Sequence, residues 1–190
     1  MERVVFSNQI KLSEDQGKNV VTGYAALYDV LSDDLGGYKA RIERGAFSEA
    51  LQSPSLDVRC LFNHSRDHVL GRSTNGTLIL SEDENGLKYT VILPETTLGK
   101  DIAVLMQRGD ISQSSIGFNY LPKDVKWETI DGERVQSFSV CEEIFDVSVV
   151  TVPAFSDTSA VIQKFEKEER TKRELKLRMM ANRVRLALSV

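Results

Sequence analysis

Cysteine is nearly absent from this chain of 190 residues, at two positions, Cys60 and Cys141. Two cysteines make no disulfide framework, so the fold must rest on its core. Four prolines and 12 glycines are too few for a collagen-like or low-complexity chain. No run approaches the roughly 20 apolar residues of a membrane-spanning helix, and Met1 to Val5 does not open a signal peptide. The expectation is a soluble, intracellular protein with no membrane partner. With 41% apolar and 27% charged residues, the composition is that of a folded globular domain. A chain of this size removes roughly 70% of its unfolded surface on folding and needs no staple.

Charge is unevenly spread. The net charge is −4, yet nine of the 24 Lys and Arg fall after residue 163, against four of the 28 Asp and Glu. An acidic body with a basic tail argues against nucleic acid as the partner of the body. The boundary is placed at 155/156, giving a domain over 1–155 and a basic helical tail over 156–190. Asp157 and Thr158 are N-cap candidates, 161–188 holds no Gly or Pro, and Leu177, Met180, Val184 and Leu188 recur at helical spacing.

Up to residue 153 the punctuation is that of a β-rich domain. Strands are expected near 4–6, 19–28, 38–43, 58–62, 77–81, 87–93, 115–120, 133–140 and 145–152, with turns at Asp83–Gly86 and Asp131-Gly132. Helical turns are expected over 45–51, and an amphipathic helix capped near Thr96 and Thr97 is expected to end near Gly109. No internal repeat is present. Many short strands with one or two helices suggest a barrel or a strongly curved, mainly antiparallel sheet with peripheral helices.

Only two histidines occur, His64 and His68, both in a polar cluster that follows the apolar run ending at Phe62. Polar groups at a strand end sit on rigid support, although a histidine there is also compatible with a solvated loop. A second cluster, Ser112-Gln113-Ser114-Ser115-Ile116-Gly117, offers a nucleophile at the start of a strand. It departs from the G-x-S-x-G elbow because position 113 is Gln, and a Ser-rich strand edge is the plainer reading. In the third cluster, Phe145, Val147, Val149 and Thr151 alternate with Asp146, Ser148, Val150 and Val152. Pointing inward, Asp146 needs a partner such as an imidazole; pointing outward, it faces water. Cys60, His64, His68 and Cys141 are ligand types for zinc, but no Cys-x-x-Cys or zinc-binding helix pattern accompanies them. No metal or cofactor is expected.

Read together, the clusters resemble the prohead maturation proteases of tailed bacteriophages, the caudovirus prohead serine proteases related to herpesvirus assemblin. The resemblance rests on Gly23-Tyr24-Ala25-Ala26, Asp34-Leu35-Gly36-Gly37 and Glu43-Arg44-Gly45-Ala46-Phe47. It continues through Leu61-Phe62-Asn63-His64, Leu70-Gly71-Arg72, Ser114-Ser115-Ile116-Gly117-Phe118 and the segment from Asp146 to Ala154, over roughly residues 20–160. It implies an assemblin-like β-barrel or curved sheet, with His64 as general base, Ser115 as nucleophile and Asp146 as the acidic third member. In the family the acidic position is commonly Glu, so Asp146 is one methylene short and Glu143 is the alternative acid. Assemblin instead uses a second histidine after the serine, and none follows Ser115.

The function so implied is a serine endopeptidase that processes scaffold and capsid-protein segments, and itself, in phage head maturation. Its partners would be the major capsid protein with its scaffold segment and a second copy of the chain, as a dimer. Its place would be the host cytoplasm, inside the assembling prohead. The alternative is an inactive assembly or scaffolding protein of the same fold. The basic tail is expected to act as a capture element, a packing helix or a segment removed by autocleavage.

Overall fold

The structure is a computed structural model that describes residues 2–6, 10–32 and 34–151. The expected basic helical tail, 156–190, lies outside the described residues. The strands are β1 (Glu2–Phe6), β2 (Lys11–Asp15), β3 (Lys18–Leu27), β4 (Lys39–Ile42), β5 (Arg59–Phe62) and β6 (Ser65–Arg72). They continue with β7 (Leu78–Glu82), β8 (Gly86–Ile92), β9 (Gln113–Asn119), β10 (Val125–Ile130), β11 (Glu133–Phe138) and β12 (Glu143–Val150). Two α-helices interrupt them, α1 (Ser48–Gln52) and α2 (Thr97–Arg108). The protein is therefore mainly β with few helices, and no described helix is long and apolar enough to cross a membrane.

Of the two forms expected, a barrel or a strongly curved sheet, the closed barrel does not form. The described strands make three open sheets, ordered β1-β9-β12-β5-β6, β2-β3-β8-β7 and β10-β11-β4. Pairing is mostly antiparallel, but β12 runs parallel to β5 and β11 parallel to β4. Such parallel pairs need long connections, which here carry the strands of the other sheets.

Alternation explains which faces meet. Val21, Leu87, Tyr89 and Val91 from the four-stranded sheet and Cys60, Ile116, Phe118, Val147 and Val149 from the five-stranded sheet all join one buried core. Ile102, Ala103 and Met106, the apolar stripe of α2, complete it. The Thr96 hydroxyl accepts from the Gly99 N–H at the start of α2, and Gly109 at φ 83° closes its end. Phe118 packs edge-on to Phe138, with centroids 5.4 Å apart, which ties the three-stranded sheet to the five-stranded one. Both rings are fully buried, and truncating either to Ala costs about 3–5 kcal/mol. At Gly71 a Cβ would lie 2.5 Å from Val91 Cγ2 and 3.0 Å from the Thr77 carbonyl oxygen, so its missing side chain lets β6 press against β8.

Candidate active site

Three neighbouring strands and one turn build the site. The central strand β12 pairs with β9 on one side and with β5 on the other. In the β9–β12 register Ser115 faces Ser148 and Gly117 faces Asp146, with an irregularity between Ile144 and Asp146. Directly opposed residues share a face, so these four lie on one side of the sheet and Ser114, Ile116 and Phe118 on the other. Ser114 lies buried on the core side, where its hydroxyl donates to the Ser148 carbonyl at 3.3 Å and is hydrogen-bonded to Tyr89 Oη at 3.0 Å.

His64 arrives from the tip of the β5–β6 hairpin. Asn63 and His64 form a two-residue turn with φ of 52° and 55°, and Phe62 pairs with Ser65 on either side. Two positive φ values are what a primed hairpin turn demands. Asparagine tolerates the left-handed region well; histidine there stores about 1–2 kcal/mol of strain. The turn is held down by Asn63, whose N–H donates to the Val149 carbonyl at 2.9 Å. Its Oδ1 accepts from the Thr151 N–H at 2.9 Å and the Thr151 hydroxyl at 3.3 Å.

The imidazole therefore sits between the two strands. His64 Nε2 is 2.6 Å from Ser115 Oγ, and His64 Nδ1 is 2.6 Å from Asp146 Oδ1. The tautomer with its proton on Nδ1 satisfies both contacts at once: it donates to the carboxylate and accepts from the serine hydroxyl. Asp146 is 4% exposed, so its charge needs local compensation. The Ser148 hydroxyl supplies a second donor, 2.6 Å from the same Oδ1 and 3.3 Å from His64 Nδ1. Gly117 leaves room for the carboxylate, since a Cβ there would stand 2.5 Å from Asp146 Oδ2. Ser115 itself has no exposed surface.

The sequence expectation thus has His64, Ser115 and Asp146 brought into one hydrogen-bonded line across 51 and 31 positions of chain. Asp146 is buried beside the imidazole and is not displayed on a half-exposed face. Glu143 stands exposed at the start of β12, on the wall of a cavity of about 820 Å³ that also touches His64 and Asp146 but not Ser115. Asp57 lines another wall of that cavity; Arg72 donates to it through two contacts of 2.7 Å, and this hydrogen bonding lowers the Asp57 carboxyl to about 2. His68 is exposed and lies against the Phe62 ring. Cys60 and Cys141 are buried free thiols, each pushed up chiefly by burial. Among the described residues no group of three or more His, Cys, Asp or Glu is placed to hold a metal.

Ser148, Gly117 and Asn63 were not singled out from sequence as parts of the site. Ser148 does carry a signal, two residues after Asp146 on the same strand face, and Gly117 stands two after Ser115. Their use requires the β9–β12 register, which local pattern does not supply.

The family comparison agrees with the resemblance read from sequence. A family model described as caudovirus prohead serine protease matches residues 7–173, while no curated protein matches the chain. With that match spanning most of the 190 residues, the chain belongs to the caudovirus prohead serine protease family.

Proposed function

We propose that the protein is a serine endopeptidase that cleaves scaffold and capsid-protein segments, and its own chain, within an assembling phage head in the host cytoplasm. One observation carries the catalytic reading: a single imidazole, His64, lies 2.6 Å from both a serine hydroxyl and a buried carboxylate. Family membership supports the setting.

In the proposed reaction His64 Nε2 takes the Ser115 proton as Oγ attacks the peptide carbonyl. The C–O bond forms and the carbonyl electron pair moves onto oxygen. As the tetrahedral intermediate collapses, the proton passes from Nε2 to the departing amine, leaving an acyl-serine. Water then repeats the cycle with His64 again as base, releasing the acid and restoring Ser115. Asp146 holds the imidazole with Nδ1 protonated and balances the imidazolium formed in each half; it takes no proton itself. Since Ser115 is fully buried, the site must open before a peptide reaches Oγ.

The test is co-expression with the candidate capsid and scaffold proteins, followed by mass spectrometry of the products. Discrete fragments are expected with the native chain and none with Ser115→Ala or His64→Ala, each of which lowers kcat by roughly 10⁴-fold or more. Normal heads with uncleaved proteins would favour the assembly-protein alternative.

A further inference from the structure

We infer that Ser148 is a positioning residue for the proposed reaction, a fourth member that fixes Asp146 against His64; this rests on the serine-protease reading. Asp146 Oδ1 receives two donors, the imidazole at 2.6 Å and the Ser148 hydroxyl at 2.6 Å. No donor among the described residues reaches Oδ2, which instead lies over the Cα of Gly117. One oxygen is therefore doubly held while the other is held only by space. An aspartate opposite a glycine has no neighbouring side chain on that strand to stop rotation of its carboxylate. The hydroxyl of Ser148 is the group that, beside the imidazole, holds it.

The scaffold behind that hydroxyl is rigid. Ser148 lies on β12, paired with Ser115 of β9 on one side and with Leu61 of β5 on the other. Its carbonyl accepts from Ser114, whose hydroxyl also meets the buried Tyr89. Residues 146 and 148 point to the same face because strand side chains alternate. The serine at 148 thus acts on His64 through Asp146, at 3.3 Å from Nδ1 and out of line with the Nε2–Ser115 contact. A mainly structural hydroxyl would be satisfied as well by a backbone carbonyl; this one donates to the carboxylate.

The test compares Ser148→Ala and Ser148→Thr in the full chain. The alanine variant removes one oxygen from a buried site, so it retains the fold. Its kcat falls roughly tenfold with KM unchanged, as expected for loss of a hydrogen bond to a charged group. Its second readout is the Nδ1–H proton resonance of His64, isolated by adding His68→Gln at the other, exposed histidine; that resonance shifts or broadens in Ser148→Ala. Ser148→Thr restores both. Unchanged kcat together with an unmoved Nδ1–H resonance in Ser148→Ala would overturn the inference. If the native chain cleaves nothing, the protease reading fails instead, and the resonance alone then decides whether Ser148 positions the pair.

Discussion

A methyl group at position 117 would stand 2.5 Å from Asp146 Oδ2 and 3.4 Å from its Cγ, inside van der Waals contact. The carboxylate cannot yield freely, because Oδ1 is held by His64 and Ser148. Gly117→Ala should therefore cost about 1–3 kcal/mol of stability and turn the imidazole out of line. A fall in kcat of roughly tenfold or more is expected, as for other misplaced catalytic groups. Steady-state kinetics beside a thermal melt checks both; full kcat in the alanine variant would show that Asp146 has room to move. The adjacent serines divide the same way. Ser115→Ala removes the proposed nucleophile, whereas Ser114→Ala removes two buried hydrogen bonds on the core side and should lower stability by about 1–3 kcal/mol with little change in kcat. An inactive Ser114→Ala beside an active Ser115→Ala would place the nucleophile one residue earlier. At this scale the sequence could be read as far as residue types. Serine, histidine and a carboxylate were each visible, but each also had a plain explanation, and only their order within a family resemblance joined them.

Strands legible in the sequence are those with one face in the core. The pattern Tyr38 to Glu43 becomes β4 with alternating burial, and 87–93 becomes β8 nearly residue for residue. The strands not foreseen are β2 and β10, whose residues Lys11–Asp15 and Val125–Ile130 are mostly exposed edge positions with no apolar face to display. Strand β6 was hidden for a different reason: its register to β5 shifts twice, leaving Arg66, Asp67 and His68 exposed and unpaired with β5 between the Ser65 and Val69 pairs. The hairpin tip that bears His64 is the consequential element. Asn63 contributes both a left-handed backbone and the two contacts from Thr151. These contributions separate by substitution. Asn63→Gly keeps the conformation and loses the clamp, while Asn63→Ala loses both. The expected order of kcat is native, then glycine, then alanine, with the alanine variant also losing about 1–2 kcal/mol. Equal kcat in all three would mean that Asp146 and Ser115 hold the imidazole without help from the turn.

Over the whole described fold, the site exists only because distant segments converge on β12. Strand β5 brings the histidine turn in parallel to it and β9 brings the serine antiparallel, so no local stretch of sequence contains the geometry. That is why strand count alone suggested a barrel or a curved sheet and not three open sheets: strand order is a non-local property. The same convergence encloses Ser115, the proposed nucleophile. Ser115 has no exposed surface, and the imidazole beside it is 9% exposed at its side chain. A reagent aimed at Oγ must wait for a local opening, and an opening that costs about 3 kcal/mol slows labelling roughly a hundredfold relative to an accessible serine. The isolated native protein is accordingly expected to react slowly with a fluorophosphonate, at a rate that rises when capsid and scaffold proteins are present and assembling. Ser115→Ala should take up no label in either condition, which assigns the signal. Rapid, stoichiometric labelling of the isolated chain would show that the nucleophile is open before assembly, and the timing of cleavage would then have to be set by substrate supply instead of by access to Ser115.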